Sequence, residues 1–158
     1  MSVLLRLTEQ GPRIQERDAR AFALLTDWLA APTDRGALVL LTPTDDPAAV
    51  AGLTHKIEAI AVDFPKPTDG RGFSIATLLR TRLGWTGELG AVGAIARDQL
   101  LYMARCGFDA FDLRDGEDVE ACMQAFDEFS VRYQGAVDEP LPLFRRRAAA
   151  LAALERQT

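Results

Sequence analysis

The stretch FPKPTDGRGFSIATLLRTRLGWTGELGAVGAIARDQ, residues 64–99, decides the fold. It is entered from Ile57 to Phe64, an apolar run that reads as a strand. Pro65 and Pro67 end that strand, because proline has no N–H to give to a ladder. Thr68 to Gly72 is then a loop that needs a flexible backbone. From Phe73 to Leu83 the spacing turns helical, with Ile75, Leu78, Leu79 and Leu83 on one face and Gly84 placed to end the helix. Glu88 to Gly93 reads as a short buried strand, and a further helix begins near Ala94. The rhythm is strand, loop, helix, strand, helix.

Working outward, the same rhythm continues. Ala37 to Leu41 is a continuous apolar run, the pattern of a strand covered on both faces in a parallel sheet. Thr42 to Pro47 is a loop, and Ala48 to Lys56 a short helix. Beyond the central stretch, Ala94 to Cys106 is a helix with Gly107 in its C′ position, and Phe108 to Leu113 is a strand. Asp115-Gly116 turns the chain into a long helix, Asp118 to Gln134, which Gly135 ends. Pro140 and Pro142 mark a linker to a charged, alanine-rich helix, Leu143 to Arg156, which either docks on a partner subunit or frays. At the other end, Ser2 to Leu7 and Arg13 to Arg17 suit two strands of an antiparallel flap around a turn at Gln10 to Pro12. Asp18 is placed to cap a helix from Arg20 to Ala31, which Pro32 and Asp34 to Gly36 break.

Four strand–helix units in succession predict an α/β fold with parallel strands and right-handed crossovers. Two closures satisfy the pattern: an open doubly wound sheet, or half of a (β/α) barrel. At 158 residues the chain fits a single domain, able to bury about 70% of its unfolded surface. Residues 1–36 form the flap and first helix, 37–135 the βα core, and 136–158 the linker and terminal helix. A half barrel leaves two unpaired edge strands, so a homodimer is expected.

Composition narrows the function classes. The net charge of −5 opposes a general nucleic-acid binder, which needs a basic face. No apolar run reaches the roughly 20 residues that span a bilayer, so no membrane partner is expected. The start of the chain shows no secretory pattern, so the expected location is cytoplasmic. Two cysteines and one histidine are too few for a conventional iron–sulfur or structural zinc site within one chain. No metal and no cofactor are therefore expected, and Cys106 and Cys122 read as packing residues.

In parallel α/β sheets, ligands bind at the carboxyl ends of the strands. Pro65 to Ser74, Gly90 to Ala94 and Arg114 to Gly116 converge there. The first segment is the best candidate. Gly70 and Gly72 let the backbone approach a ligand, Ser74 is placed to cap the next helix, and Arg71 suits a bidentate contact to an oxyanion. Gly70, Arg71, Gly72, Phe73 and Ser74 thus form a candidate site for phosphate, sulfate or sulfite. The alternative is a capped helix with Arg71 paired to Asp69 or Glu88. Asp69 and Glu88 are candidate general acids or bases beside Arg71, although Asp69 also suits an Asx-turn and Glu88 a pair with Arg82 or Arg97. Arg105 is placed to pair with Asp109. Ser74, Ser130 and His55 lack the context of a nucleophilic triad.

The ordered series FPKPTDGRGFS, GWTGELGAVG, RDQL and RCGFDAFDLR resembles a bacterial family of unknown function over about residues 45–134. Members of that family are described as probable oxidoreductases of sulfite reduction, from genes beside sulfite reductase. The resemblance points to Asp69 through Ser74, Glu88, and also Arg80, Asp98 and Gln99. The family pattern usually has an aromatic residue where Pro67 stands, arginine at Gly90 and aspartate at Ala94. The joint replacement of that arginine and aspartate, four positions apart, suggests that the two form a pair in relatives.

Three readings follow. The first is an accessory protein of assimilatory sulfite reduction that binds sulfite reductase or an oxyanion and brings no redox centre. The second is a small enzyme acting on an oxyanion at the Asp69–Ser74 loop. The third is a non-catalytic structural dimer.

Overall fold

The computed structural model describes residues 3–16, 21–32 and 36–155. Its strands are β1 (Val3–Thr8), β2 (Gly11–Glu16), β3 (Ala23–Leu24), β4 (Ala37–Leu41), β5 (Ile57–Phe64), β6 (Glu88–Gly93) and β7 (Ala110–Leu113). The helices are α1 (Leu25–Ala30), α2 (Arg71–Thr81), α3 (Arg97–Cys106), α4 (Val119–Gln124) and α5 (Leu143–Glu155). All seven strands lie in one sheet, in the order β2-β1-β7-β6-β5-β4-β3. From β3 to β7 neighbours run parallel, and β1 closes antiparallel on both β7 and β2.

The strand order from β3 to β7 contains no reversal. Right-handed crossovers between sequential neighbours place the linking helices α1, α2 and α3 on one face of the sheet. The packing agrees: Phe64 of β5 meets Phe73 of α2 at 5.4 Å between ring centroids. Phe111 of β7 meets Phe126 of the 3₁₀ turn Ala125–Asp127 at 5.4 Å. Val39, Ile60, Val62, Leu89, Phe111 and Leu5 form the apolar centre of that face. No switch point of a doubly wound sheet occurs, while the sequential order is one that barrel walls share.

The opposite face is built differently. Ala61, Gly90, Ala110 and Arg6 stand in register across β5, β6, β7 and β1. Because Ala110 is small, Arg6 reaches over β7 to Glu88 of β6 at 2.5 Å. Ala61 and Ala110 on this face are 1% exposed.

Several expectations need correction. The N-terminal strands pair antiparallel around their turn as expected, but β1 also pairs with β7, so the flap is an extension of the sheet. The expected helix Arg20–Ala31 is reduced to α1, because Ala23 and Leu24 pair with Val39 and Leu40 as an edge strand. Asp18 and Asp34, read as a cap and a breaker, lie outside the described residues. Ala48–Lys56 forms two 3₁₀ turns, Pro47–Val50 and Thr54–Lys56, split by Gly52 at φ +75°. The long helix Asp118–Gln134 stops at Asp127. Its next apolar positions, Phe129 and Tyr133, find no core to enter and stay exposed.

Candidate functional site

Three loops follow the parallel strands at their carboxyl ends, and hydrogen bonds knit them together. The Ala94 N–H donates to the Phe64 carbonyl at 2.6 Å, joining the exits of β5 and β6. Gln99 of α3 donates through Nε2 to the Pro67 carbonyl at 2.7 Å, while its Oε1 accepts from the Ala96 N–H at 3.2 Å. Arg114, just past β7, donates to the Ile95 carbonyl at 3.1 Å. The segments read from sequence as convergent are thus physically joined, with Gln99 as the link.

At the front of this edge stand Asp69 and Arg71. Arg71 Nε donates to Asp69 Oδ1 at 2.9 Å and Nη2 to Oδ2 at 2.7 Å, a bidentate pair. The Arg71 N–H also donates to Asp69 Oδ1 at 3.2 Å, the Asx-turn that residue type favours. The Arg71 side chain is 58% exposed and that of Asp69 14%. Hydrogen bonding from Arg71 holds the Asp69 carboxyl at about 2, below its ordinary 3.8. The same contact raises Arg71. A carboxylate held so low is a weak proton acceptor near neutrality.

The glycines do different work. A Cβ on Gly72 would fall 2.5 Å from the Phe64 ring, so this glycine lets α2 sit down on β5. Gly70, at φ −81°, has open space where a side chain would stand. Ser74 does not cap α2. The helix begins at Arg71 behind Gly70, which leaves Ser74 inside its second turn. There it lines a shallow cavity of about 320 Å³ with Phe73, Thr77, Leu78, Tyr102 and Cys106. Phe73 packs between Phe64 and Tyr102.

Other predicted residues lie elsewhere. Glu88 starts β6 in register with Ala59, five residues before Phe64. At about 3.3 Å per residue, it sits roughly 16 Å along the sheet from the loop and pairs with Arg6, not Arg71, Arg82 or Arg97. The trio Asp69, Arg71 and Glu88 is therefore not assembled. Arg80 is also at the amino-terminal end of the strands. It donates to the carbonyls of Gly107, Trp85 and Gly87 and to Asp109 Oδ2, each within 2.9 Å. Arg105 pairs with Asp138 instead of Asp109. Asp98 is exposed in the first turn of α3. Gly90 lies buried beside Ala61, and Ala94 stands in the β6 exit loop. Among the described residues no group of three or more His, Cys, Asp or Glu is placed to hold a metal ion. No described helix is long and apolar enough to cross a membrane.

Residues 38–144 match the family model of a bacterial protein of unknown function, DUF934. The chain belongs to that family. The match begins in β4 and ends at the start of α5, so it contains β5 to β7, the joined loops and the Asp69–Arg71 pair. The hairpin β1–β2, which carries Arg6, and most of α5 fall outside the DUF934 match. No curated protein and no solved structure matches the chain.

In this DUF934 chain, Gln99 ties the loops at the carboxyl end of the strands and Asp109 binds Arg80 and the Leu89 N–H at the amino end. Gln99 was visible in sequence through its motif. Asp109 was read as a partner of Arg105; its partner Arg80 is 29 residues away, and nothing local marks that pairing.

Proposed function

We propose that this chain serves assimilatory sulfite reduction in the cytoplasm as an accessory protein. It acts by binding, brings no redox centre of its own, and works as a homodimer. The pathway rests on the resemblance of the TDGRGFS…GEL…DQL…GFDAF series. The binding role rests on the Asp69–Arg71 pair. An exposed, bidentate pair on a hydrogen-bonded edge offers a fixed polar contact to a partner enzyme, here sulfite reductase. It offers little proton transfer, because Asp69 is held anionic.

A second reading is supported by one specific observation. Asp69 occupies Nε and Nη2 of Arg71, which leaves Nη1 without a partner among the described residues, on a side chain that is 58% exposed. A small oxyanion such as sulfite fits that chemistry.

The test uses wild type and Arg71→Ala. Immobilised protein is offered purified sulfite reductase, and soluble protein is titrated calorimetrically with sulfite, sulfate and phosphate. Retention of the enzyme, weakened about tenfold by the substitution (about 1.4 kcal/mol), is the expected result. Saturable sulfite heat lost in Arg71→Ala, without enzyme retention, selects the anion reading. Neither signal overturns both.

A further inference from the structure

We infer that the Asp69–Arg71 site takes an oxyanion only in a form that carries a proton, such as hydrogensulfite or hydrogen phosphate, and turns away sulfate; the inference rests on the oxyanion reading above. The reason lies in which atoms of the pair are already used. Nε of Arg71 gives its only hydrogen to Asp69 Oδ1, and Nη2 gives one hydrogen to Oδ2. A guanidinium has more donors than these. The remaining hydrogens on Nη1 and Nη2 have no partner among the described residues, on an exposed side chain.

Asp69 has acceptor capacity left as well. Oδ1 accepts from both Nε and the Arg71 backbone N–H, whereas Oδ2 accepts from Nη2 alone among the described residues. A carboxylate oxygen has room for a second donor. Oδ2 lies 2.7 Å from Nη2, so donors ready for an anion stand directly beside an acceptor that calls for a hydrogen.

That acceptor is fixed and stays ionised. The Asp69 N–H donates to the Lys66 carbonyl at 3.1 Å, and Gln99 holds the Pro67 carbonyl in the same loop. Hydrogen bonding from Arg71, with the charges of Arg71 and Lys66, keeps the carboxyl at about 2. An anion that arrives at Arg71 therefore meets a permanent negative charge. One that brings no hydrogen faces Oδ2 oxygen to oxygen, and the repulsion works against the Arg71 contact. One that brings an O–H accepts from Arg71 through one oxygen and donates to Oδ2 through a neighbouring oxygen. The same contact then becomes a charge-assisted hydrogen bond. Sulfate carries no proton near neutrality, and hydrogen phosphate keeps one into the alkaline range. Sulfite carries one only below its own ionisation near neutrality, as hydrogensulfite in its O–H form. Because the pair is exposed and screened by salt, the expected discrimination is about tenfold.

The test is calorimetric titration of sulfite, phosphate and sulfate, each alone, at low salt and at about pH 6 and about pH 9. The samples are wild type, Asp69→Asn and Arg71→Ala. In wild type at the lower pH, sulfite and phosphate are expected to bind about tenfold tighter than sulfate. At the higher pH phosphate is expected to keep its affinity, while sulfite falls to the level of sulfate. Phosphate is the internal control, so a loss confined to sulfite belongs to the anion and not to the protein. In Asp69→Asn, with its fold verified by circular dichroism, the three anions are expected to bind alike at both pH values. Sulfate as tight as phosphate in wild type, or sulfite undiminished at the higher pH, overturns the proton requirement and leaves the oxyanion reading standing. Discrimination that persists in Asp69→Asn also overturns the inference, since Asp69 is then not its source. No saturable heat from any anion in wild type, or binding that survives Arg71→Ala, overturns the oxyanion reading and this inference with it.

Discussion

Arg80 on α2 and Asp109 at the threshold of β7 are 29 residues apart in sequence and 2.8 Å apart in the fold. Their contact closes the amino-terminal end of the parallel sheet. Asp109 Oδ1 also accepts the Leu89 N–H at 2.8 Å, while Arg80 satisfies three carbonyls. Arg80→Ala leaves these acceptors without their donor, and is expected to cost about 3 kcal/mol in urea unfolding. Arg80→Lys recovers only part, since one ammonium does not span four acceptors. Burial raises the Asp109 carboxyl above its ordinary 3.8, against the pull of the Leu89 N–H and Arg80. The folded state then binds the proton more tightly than the unfolded one, so this group's contribution to stability falls as pH rises from 3.8 through the folded value. Removing Arg80 removes a charge that opposes the rise. Carbon-detected titration of Asp109 is expected to move further up in Arg80→Ala; an unchanged or lowered value would falsify the pairing.

Asp69 has the opposite sign. Its folded pKa of about 2 lies below the ordinary 3.8. Its stabilisation is present above 3.8 and is lost as pH falls toward 2. Arg71→Ala is expected to return the Asp69 titration to about 3.8 and to flatten that part of the acid unfolding curve. Asp69→Asn flattens it too, whereas Glu88→Gln leaves the Asp69 titration where it was, because Glu88 pairs with Arg6 at the other end of the sheet. A shift of Asp69 in Glu88→Gln would overturn the separation of the two carboxylates.

How much of this was legible in sequence depended on the range of the interaction. β5 and β6 were read to the residue because Pro65 and Glu88–Gly93 carry local signals: a missing N–H and a short apolar run. The Asx-turn at Asp69 was also legible, since it spans only two residues. The Arg20–Ala31 helix was misread because its apolar spacing also serves an edge strand, and only Val39 and Leu40 decide between them. The long helix after Asp118 was misread because Phe129 and Tyr133 keep helical spacing with no core beneath them. Glu88 was placed at the site by proximity in sequence. The register of β6 against β5, a long-range property, carries it to the far end.

The two loop glycines are predicted to differ. Gly72→Ala drives a methyl to within 2.5 Å of the Phe64 ring. That ring is held by Phe73 and Phe108 at 5.4 and 5.8 Å, so it has little room to yield. The overpacking cost of about 1–3 kcal/mol outweighs the gain of about 1 kcal/mol in helix propensity. Gly70→Ala meets open space at φ −81° and is expected to stay within about 0.5 kcal/mol of wild type. Thermal melts of the two variants distinguish them. Equal destabilisation would show that the loop, and not the Phe64 contact, sets the requirement for glycine.

The thiols provide the last test, because a redox role would need one of them to ionise. Burial raises both Cys106 and Cys122 above the ordinary thiol value. The thiolate is the reactive form, so both are slow nucleophiles near neutral pH. Access then ranks them. Cys106 is 8% exposed and borders the shallow cavity beside Ser74 and Tyr102, while Cys122 is 1% exposed on the buried side of α4. An aromatic disulfide reagent at pH 7.5 is expected to label Cys106 slowly and Cys122 only on unfolding, with two thiols per chain released in denaturant. In Cys106→Ser the native protein is expected to release almost none. Labelling of either thiol within seconds in the native state would contradict their packing role. It would also restore thiol chemistry as a possible activity of this fold.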